Sequence, residues 1–414
     1  MVVLSRLATV LAVTAALAWF LPDLYRRATQ PERVRVNAYY SASAGQFLIR
    51  TDGFDKSTFS DEAGRSYSQE QHRQLLPFLY YSDLAKHGQF PPQVAGIPVT
   101  VDAARREMQV LQLNPREWNA PQLNLHTLFR SAPWGSRLAL PDDMFRVEPA
   151  GLTFIRAADG VIDGDKSNRF TRALDEAGVR WPLKGLGGNP SPLKEFDEGY
   201  VLVDAASRVF HLKMVRGQPE CRDTGLVVPG NVRAVVVDEH ARREILGVAV
   251  TDDAVHLVTY ANTLVRLPLD GFDADGGMAL LRSDPLNRTV ATADVRDRLR
   301  NPMRLVATGT DYQPGHRFDL PLPQAFRERM ALARTVSSAL FPFAIIQAVP
   351  EDGRVLLRIE PAASLPVAAG DAWRRRWSCG CGGAGAGNGR RRWNWRWRCW
   401  AACRPWWRCC CSGR

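Results

Sequence analysis

Cysteine is almost absent from the first 370 residues of this 414-residue chain, where Cys221 is the one exception. A single thiol cannot form an intramolecular disulfide, and it excludes a zinc site built on several cysteines in that region. Lysine is scarce too, with only six among the 54 basic residues, an arginine bias that is typical of a GC-rich gene. The 45% of apolar residues is nevertheless sufficient for a sizeable core and for two or three domains.

Excess positive charge is also missing from most of the chain. The formal net charge is +11, which by itself suggests a nucleic-acid-binding protein. Residues 371–414, however, contain eleven arginines and a single acid, Asp371, so the preceding 370 residues have a net charge of about +1. We therefore expect no nucleic acid among the partners.

Complete catalytic motifs are absent. Gly164-Asp165-Lys166-Ser167 lacks the earlier glycine of a phosphate-binding loop, and no G-x-S-x-G nucleophile motif occurs. The histidines show neither HExxH nor another metal-ligand spacing; they are His72, His87, His126, His211, His240, His256 and His316. His211 and His256 occupy matching places in two predicted strands. In a propeller, this favours a structural position in the wall of the fold over a role as a metal ligand.

Several partial motifs are better explained as structure. Asp163-x-Asp165-x-Ser167 begins like a calcium loop but has Asn168 at the glycine position and Leu174 at the bidentate glutamate position. Asp273-x-Asp275-Gly276 is equally incomplete. The run 185–190 (GLGGNP) neither follows an obvious strand nor opens a helix, so we interpret it as a loop, and Cys221 as a lone thiol without a catalytic role. The sequence therefore indicates no catalytic, cofactor-binding or metal-ligating residue, and no cofactor.

One long apolar run opens the chain, from Val2 to Leu21, with Arg6 as its only charge. Twenty helical residues span about 30 Å, the hydrocarbon thickness of a bilayer. A cleaved secretory signal and an uncleaved anchor are both open, because residues 16–18 (ALA) resemble a cleavage site. We favour the anchor, since residues 19–21 prolong the run past that site before Pro22 ends it.

The last 44 residues contain eight of the twelve tryptophans and seven of the eight cysteines. Either they are a genuine tail, with arginines for phosphates and cysteines for a metal, or they are a GC-rich gene translated in the wrong frame. Trp is encoded by TGG and Cys by TGY, so starting each codon one base earlier converts both to Leu, Met or Val. Residues 393–411 then become an apolar span with one charge, and we favour this interpretation.

The restored frame would place two apolar spans joined by a basic loop after the body. Such a loop stays in the cytoplasm, which predicts an extracytoplasmic body and a location in the bacterial inner membrane, although Arg26 and Arg27 alone do not favour export. As given, residues 362–414 are expected to be disordered.

The body is predicted to be mainly β with a few helices, as a propeller-like or stacked antiparallel meander; a two-sheet sandwich is the alternative. Expected helices begin at Ser68 with an S-x-x-Q capping box, at Ala103, at Ser167 and at Gln324. Expected strands lie at 34–40, 46–51, 97–101, 138–140, 152–155, 200–203, 209–215, 245–267, 305–320, 343–348 and 355–359. The predicted divisions are 1–24 (transmembrane anchor), 25–198 (mixed α/β extracytoplasmic region), 199–361 (β-meander region with one helix) and 362–414.

Six phrases together resemble an uncharacterised bacterial membrane-protein family, known only as a domain of unknown function. They are Leu21–Tyr25, Leu75–Tyr81, Leu140–Arg146, Gly188–Pro190, Asp197–Tyr200 and Phe210–Lys213. The resemblance covers about residues 21–343 and implies an N-terminal span, an extracytoplasmic body and partners among ABC transporter components. It implies no catalytic residues.

The sequence thus predicts a membrane-anchored accessory or partner-binding protein whose partners are the lipid bilayer and a membrane protein. The alternative is a periplasmic enzyme with its site at the mouth of a propeller-like body. A pocket that pairs His with Asp or Glu would favour the enzyme, and a broad exposed apolar patch would favour the partner-binding protein.

Overall fold

Strands outnumber helices in the computed structural model, which describes residues 2–29, 35–53, 56–132, 138–295, 303–340, 343–348 and 356–361. Strands account for 39% of residues and helices for 24%, so the prediction of a mainly β body behind an N-terminal apolar helix is confirmed. Residues 1–361 form one unit, and every described residue belongs to it. The predictions for 362–414 lie outside the described residues.

The helices of the described part are α1 (Val2–Thr29), α2 (Gln69–Leu75), α3 (Tyr81–Lys86), α4 (Val101–Glu107), α5 (Arg116–Asn119), α6 (Gly164–Glu176) and α7 (Gln324–Leu340). The capping box predicted at Ser68 is present, because its side chain accepts from the Gln71 amide while the Gln71 side chain accepts from the Ser68 amide. Pro77 separates α2 from α3, as expected of a residue that cannot donate a helical hydrogen bond.

The strands before α6 are β1 (Arg35–Ser41), β2 (Gln46–Asp52), β3 (Ser57–Asp61), β4 (Ser66–Tyr67), β5 (Gln93–Val94), β6 (Ile97–Pro98), β7 (Gln109–Leu113), β8 (Arg130–Ala132), β9 (Asp143–Glu148), β10 (Gly151–Arg156) and β11 (Ile162–Asp163). Those between α6 and α7 are β12 (Gly185–Gly188), β13 (Tyr200–Val203), β14 (Arg208–Val215), β15 (Gln218–Val227), β16 (Val232–Val236), β17 (Ile245–Thr251), β18 (Val255–Thr259), β19 (Leu264–Arg266), β20 (Gly277–Ser283), β21 (Arg288–Asp294), β22 (Met303–Thr308) and β23 (Pro314–Leu320). A final hairpin joins β24 (Phe343–Ala348) to β25 (Leu356–Pro361).

Within the described residues, five sheets of three or more strands make the body, all antiparallel except at β8, and β5 and β6 form a separate two-stranded pair. We number them I (β11-β10-β9), II (β12-β13-β14-β15, with β8 parallel to β14), III (β16-β17-β18-β19), IV (β23-β22-β21-β20-β7) and V (β1-β2-β3-β4). Four apolar clusters join neighbouring sheets in this order. Phe145 of sheet I, for example, meets Tyr200 of sheet II with ring centroids 5.2 Å apart. The body is therefore a series of stacked sheets, and no closed propeller ring is formed within the described part.

Sheet III lies in the middle of this series and is covered on both faces. Every residue of β17 and of β18 is buried. Strands covered on both faces read as continuous apolar runs, which explains the uninterrupted ILGVAV of β17. Alternate side chains serve the two neighbours: Val248 packs toward sheet IV and Ala249 toward sheet II.

Sheet IV is completed by a strand from much earlier in the chain. β7 pairs with β20, so that Leu111 lies opposite Leu281. The sequence predicted helix from Ala103 through Val110, and this is wrong at its end: α4 stops at Glu107 and the chain turns into β7. The alternation of buried and exposed side chains from Gln109 to Leu113 is that of a strand with one covered face.

The interpretation of residues 185–190 as a loop is also wrong for Gly185–Gly188, which form β12 at the edge of sheet II. The glycines allow β12 to lie against β16 of sheet III. A Cβ on Gly187 would lie 2.3 Å from the backbone oxygen of Val235. No side chain fits at that distance, so glycine is required for the close approach of the two backbones.

Two smaller predictions also need correction. Helix α6 is capped by Asp163, whose side chain accepts from the Lys166 amide, because the helix starts a turn earlier than Ser167. Residues 138–140 are not a strand. Helix α1 includes Pro22 and continues to Thr29. The hairpins of β13–β14 and β17–β18 and the helix Gln324–Leu340 are confirmed.

Candidate functional site

Three of the phrases that carry the family resemblance meet at one end of sheets II and III. The loop 189–199 leaves β12 after Gly188 and enters β13 at Tyr200, and β14 brings His211 and Lys213 to the same place. Opposite this loop lies the loop 237–244, which connects β16 to β17. We call this end of the sheets the loop edge.

Lys194 is the centre of a buried ion network at the loop edge. Its ammonium donates to Asp197 Oδ1 at 2.5 Å, to Glu239 Oε1 at 2.7 Å and to the Asn189 carbonyl at 2.9 Å. It also lies 4.9 Å from the centre of the Phe129 ring. Only 3% of the lysine side chain and 1% of each carboxylate side chain are exposed. The three donors of the ammonium are therefore all used within the protein.

The carboxylates of this network differ in how well they are satisfied. Asp197 accepts a second hydrogen bond from Ser131 Oγ at 2.5 Å. Glu239 Oε1 accepts from the Glu198 amide at 3.0 Å, but its Oε2 is buried without a protein partner. Burial raises the pKa of Glu239, and the hydrogen bond from Lys194 only partly offsets this. Glu239 is thus the least stabilised charge of the network.

Glu198 extends the network to β14. Its carboxylate accepts from Lys213 Nζ at 2.8 Å, and its carbonyl lies 2.6 Å from His211 Nε2. Because a carbonyl can only accept, His211 carries a proton on Nε2. Burial lowers the pKa of His211, so a neutral ring is the favoured form.

Local chain geometry fixes this arrangement. Asn189 Oδ1 accepts from the Ser191 amide, which closes a turn just after β12. Gly199 has φ of +67°, and a Cβ there would lie 2.3 Å from the Leu212 carbonyl oxygen. Glycine at this position lets Glu198 turn toward His211 and Lys213 as the chain enters β13.

A second buried network lies on the other side of the loop 237–244 and reaches sheet IV. Arg288 holds Glu244 in a bidentate pair, with Nε and Nη2 at 3.0 and 2.8 Å from its two oxygens. Arg242 and the hydroxyl of Tyr312 also donate to Glu244. Burial alone would raise the pKa of Glu244, but the hydrogen bonds from Arg288 and Tyr312 outweigh it and lower that pKa.

One loop therefore carries both networks: Glu239 points to sheet II, and Arg242 and Glu244 point to sheet IV. Buried ion pairs add little net stability compared with apolar packing, but they penalise every arrangement in which a partner is missing. Each charged group at the centre of these networks is already held by protein groups, and Lys194, Asp197, Glu239 and Arg288 are almost fully buried. Chemically, the loop edge can hold three sheets in one register.

A separate cavity of about 460 Å³ lies against sheet V. Its lining residues are Arg50, Lys56, Ser57, Phe59, Gln69, Arg73, Tyr80 and Asp83. Two of its cations are already paired: Arg50 lies 2.7 Å from Asp52, and Arg73 lies 3.2 Å from Asp83. No histidine lines this cavity, so it does not have the pairing of His with a carboxylate that would favour an enzyme.

The histidines lie apart from one another. His72 is buried beneath the Phe59 ring, and burial together with the nearby charge of Arg50 lowers its pKa to about 4. His316 contacts Glu62 at 2.7 Å beside Phe47. His256 lies on β18 and His126 bridges to Phe145, and burial lowers the pKa of both. Within the described residues, no group of three or more His, Cys, Asp or Glu is placed to hold a metal ion.

The remaining candidates from the sequence have structural surroundings. Lys166 pairs with Asp143 at 2.6 Å, and Ser167 Oγ donates to the Asp163 carbonyl. Asp275 pairs with Arg233 at 2.9 Å. Cys221 lies on β15, and burial raises the pKa of its thiol to about 12, which makes it a poor nucleophile at neutral pH.

Sequence reasoning did not identify Lys194, Glu239, Glu244 or Arg288. A weak signal was present, because two of only six lysines, Lys194 and Lys213, lie within or next to resemblance phrases. The pairing of Lys194 with Glu239, 45 positions apart, has no sequence pattern of its own.

The fold and the loop edge describe a mainly β domain of stacked antiparallel sheets with an apolar N-terminal helix. Residues 37–302 match the family described as Domain of unknown function (DUF4857). The chain belongs to this family. The comparison with curated proteins found no match.

Two solved structures show a low level of similarity. One is described as YCF48 bound to D1 peptide; it is 10% identical, with a TM-score of 0.22, and the match covers 51% of this chain and 72% of that one. The other is PorZ, a surface component of the type-IX secretion system of Porphyromonas gingivalis; it is 12% identical, with a TM-score of 0.21, and the match covers 71% of this chain and 40% of that one. Such scores support no conclusion about fold or activity.

Proposed function

We propose that the protein is a membrane-anchored, extracytoplasmic accessory protein that presents its β body to a membrane-protein partner. The observation that carries this proposal is α1. Its segment Val3–Tyr25 is long and apolar enough to cross a bilayer, and every residue from Val3 to Leu17 is exposed. Exposing a helix of this length with so many apolar side chains to water is unfavourable in free energy, whereas a lipid bilayer stabilises it.

The body supports a binding role in two ways. The two buried networks hold sheets II, III and IV together at the loop edge, which gives a rigid surface. The free face of sheet I has an apolar row of cross-strand neighbours: Met144 and Ile155 are half-buried, and Ile162 is 55% exposed. Exposed apolar rows of this kind are typical of surfaces that bind another protein.

The partner class is a further part of the proposal. The family resemblance implies company with ABC transporter components, so we propose that the body binds the membrane subunits of such a transporter. The inner membrane and an outward-facing body follow from the basic loop of the restored reading frame.

Membrane extraction tests the anchor. The full chain is expressed in bacteria, and membranes are washed with alkaline carbonate beside a matched Leu11→Asp variant. We expect the unsubstituted chain to stay in the membrane with residues 1–25 intact by mass spectrometry, and the variant to be released. Recovery of the unsubstituted chain as a soluble species with this segment attached would refute the anchor, and loss of the segment would establish a cleaved signal.

Protease treatment and affinity purification test the remaining parts. Protease added to intact spheroplasts should degrade the body, whereas protection until lysis would place it in the cytoplasm. Cross-linking in native membranes, followed by purification and mass spectrometry, should recover transporter subunits with the unsubstituted chain. Recovery of no membrane protein would contradict the partner-binding role.

A further inference from the structure

Helix α7 contacts α1 and carries an apolar stripe that no described residue covers. The two helices pack against each other, and α1 also contacts β24. Ala18 and Pro22, which lie one turn apart on α1, are buried. α7 is therefore placed next to the apolar segment for which we propose a membrane span.

The stripe consists of Leu332, Val336 and Leu340, which are 66%, 36% and 58% exposed. The spacing of four residues places them on one side of the helix, each rotated by about 40° from the last. Single exposed apolar residues are ordinary on protein surfaces. These three form a continuous row, on a helix that contacts the exposed apolar helix α1.

The other side of α7 is suited to water. Arg327 and Ala331 are exposed there, one turn apart and about 180° and 140° around the helix axis from Val336, the middle of the stripe. Glu328 and Arg329 are exposed as well, and Arg329 lies close to the line of the stripe. An arginine at that position can cover apolar surface with its methylenes while its guanidinium reaches lipid phosphates. A helix with an apolar stripe, an arginine at its border and a polar opposite side is typical of an interfacial membrane helix.

We propose that α7 lies along the surface of the bilayer, with Leu332, Val336 and Leu340 inserted at the level where headgroups meet acyl chains. This proposal rests on the proposed function, because it requires α1 to be in the membrane. The occupant is lipid, since the stripe lies on a helix that packs against the apolar α1, and Arg329 beside the stripe complements anionic headgroups. The body is then held to the membrane at two points, one crossing the bilayer and one lying on it.

Photo-crosslinking in vesicles tests this placement. The purified full chain is reconstituted into vesicles of phosphatidylethanolamine and phosphatidylglycerol that contain a fluorescent lipid. p-Benzoylphenylalanine replaces one residue at a time: Leu332, Val336 or Leu340 on the stripe, and Arg327 or Ala331 on the opposite side as controls. Replacement of Leu11 in α1 reports independently whether the span is inserted.

We expect lipid adducts at Leu11 and at the three stripe positions, with a yield several-fold above that at Arg327 and Ala331. Lipid adducts at Leu11 with none at the stripe would overturn this proposal and leave the anchor intact. Equal yields on both sides of α7 would also overturn it, as would stripe adducts to a second copy of the chain. No lipid adduct at Leu11 would instead refute the membrane span itself.

Discussion

The ammonium of Lys194 lies 2.7 Å from Glu239 Oε1, and this contact ties the loop 189–199 to the loop 237–244. The two residues belong to loops of different sheets, and each side chain is almost fully buried. Their separation and burial lead to a first prediction about stability.

Lys194→Met should lower the free energy of unfolding by about 3–5 kcal/mol, because it leaves Asp197 and Glu239 buried without their cation. Lys86→Met is the matched control at an exposed lysine and should change the stability by less than about 0.5 kcal/mol. Adding Glu239→Gln to Lys194→Met should cost less than the sum of the two single changes, since it removes one unpaired charge. Urea unfolding of these four variants, including Glu239→Gln alone, gives the values; equal stability of the Lys194 and Lys86 variants would contradict the network's role.

A second prediction concerns acid. The folded pKa of His72 is about 4 against an ordinary value of 6.5, chiefly because the ring is buried. Between these pH values the unfolded chain binds a proton that the folded protein excludes. Stability should therefore fall as the pH drops from about 6.5 to about 4, by up to roughly 3 kcal/mol from this residue.

The same substitution at two histidines isolates that contribution. His72→Gln should remove this part of the pH dependence of the unfolding midpoint. His87→Gln, at a histidine whose side chain is 62% exposed in the next helix, should leave it in place. Identical pH profiles for the two variants would refute the assignment to His72.

Gly199→Ala is expected to be strongly destabilising, because the new Cβ meets the Leu212 carbonyl oxygen and the backbone has positive φ. Gly217→Ala separates the two effects: its φ of +82° is also positive, but a Cβ there has no atom within 4 Å. We expect about 1–2 kcal/mol at Gly217 from the left-handed backbone alone, and a larger loss at Gly199. Thermal unfolding measures the stability of both variants. A smaller loss of stability at Gly199 than at Gly217 would contradict this prediction, because it would mean that β14 moves to make room for the new Cβ.

The reading frame of the gene for residues 371–414 is a fourth prediction. Resequencing should reveal an indel that restores two apolar spans in place of the Arg, Trp and Cys stretch. An intact frame throughout would leave the genuine tail as the remaining interpretation.

Local patterns predicted a large part of this fold, since their physical causes act within a few residues. The capping box at Ser68, the division at Pro77 and the meander hairpins all follow from neighbouring side chains. β12 and β7 were missed for the opposite reason. β7 pairs with β20, far away in sequence, while β12 pairs with β13 and its glycines lie against β16. Such tertiary contacts override local propensity.

The candidate site was predictable only in part. The resemblance phrases located Asn189, Asp197, Glu198 and Lys213, but the charges that complete the networks come from the loop 237–244. Its sequence, VDEHARRE, reads as an ordinary solvated turn. That Glu239 and Glu244 are buried there depends on the stacking of sheets II, III and IV, which no periodicity reveals.

The pairing of β7 with β20 also constrains how the protein is made. As the chain emerges during synthesis, Gln109–Leu113 must remain without a sheet partner until Leu281 has been translated and moved into reach. The other four sheets can assemble in the meantime, so sheet IV begins last, on a strand produced long before. Closing so long a loop is entropically slow, and the waiting strand is exposed to wrong pairing until then.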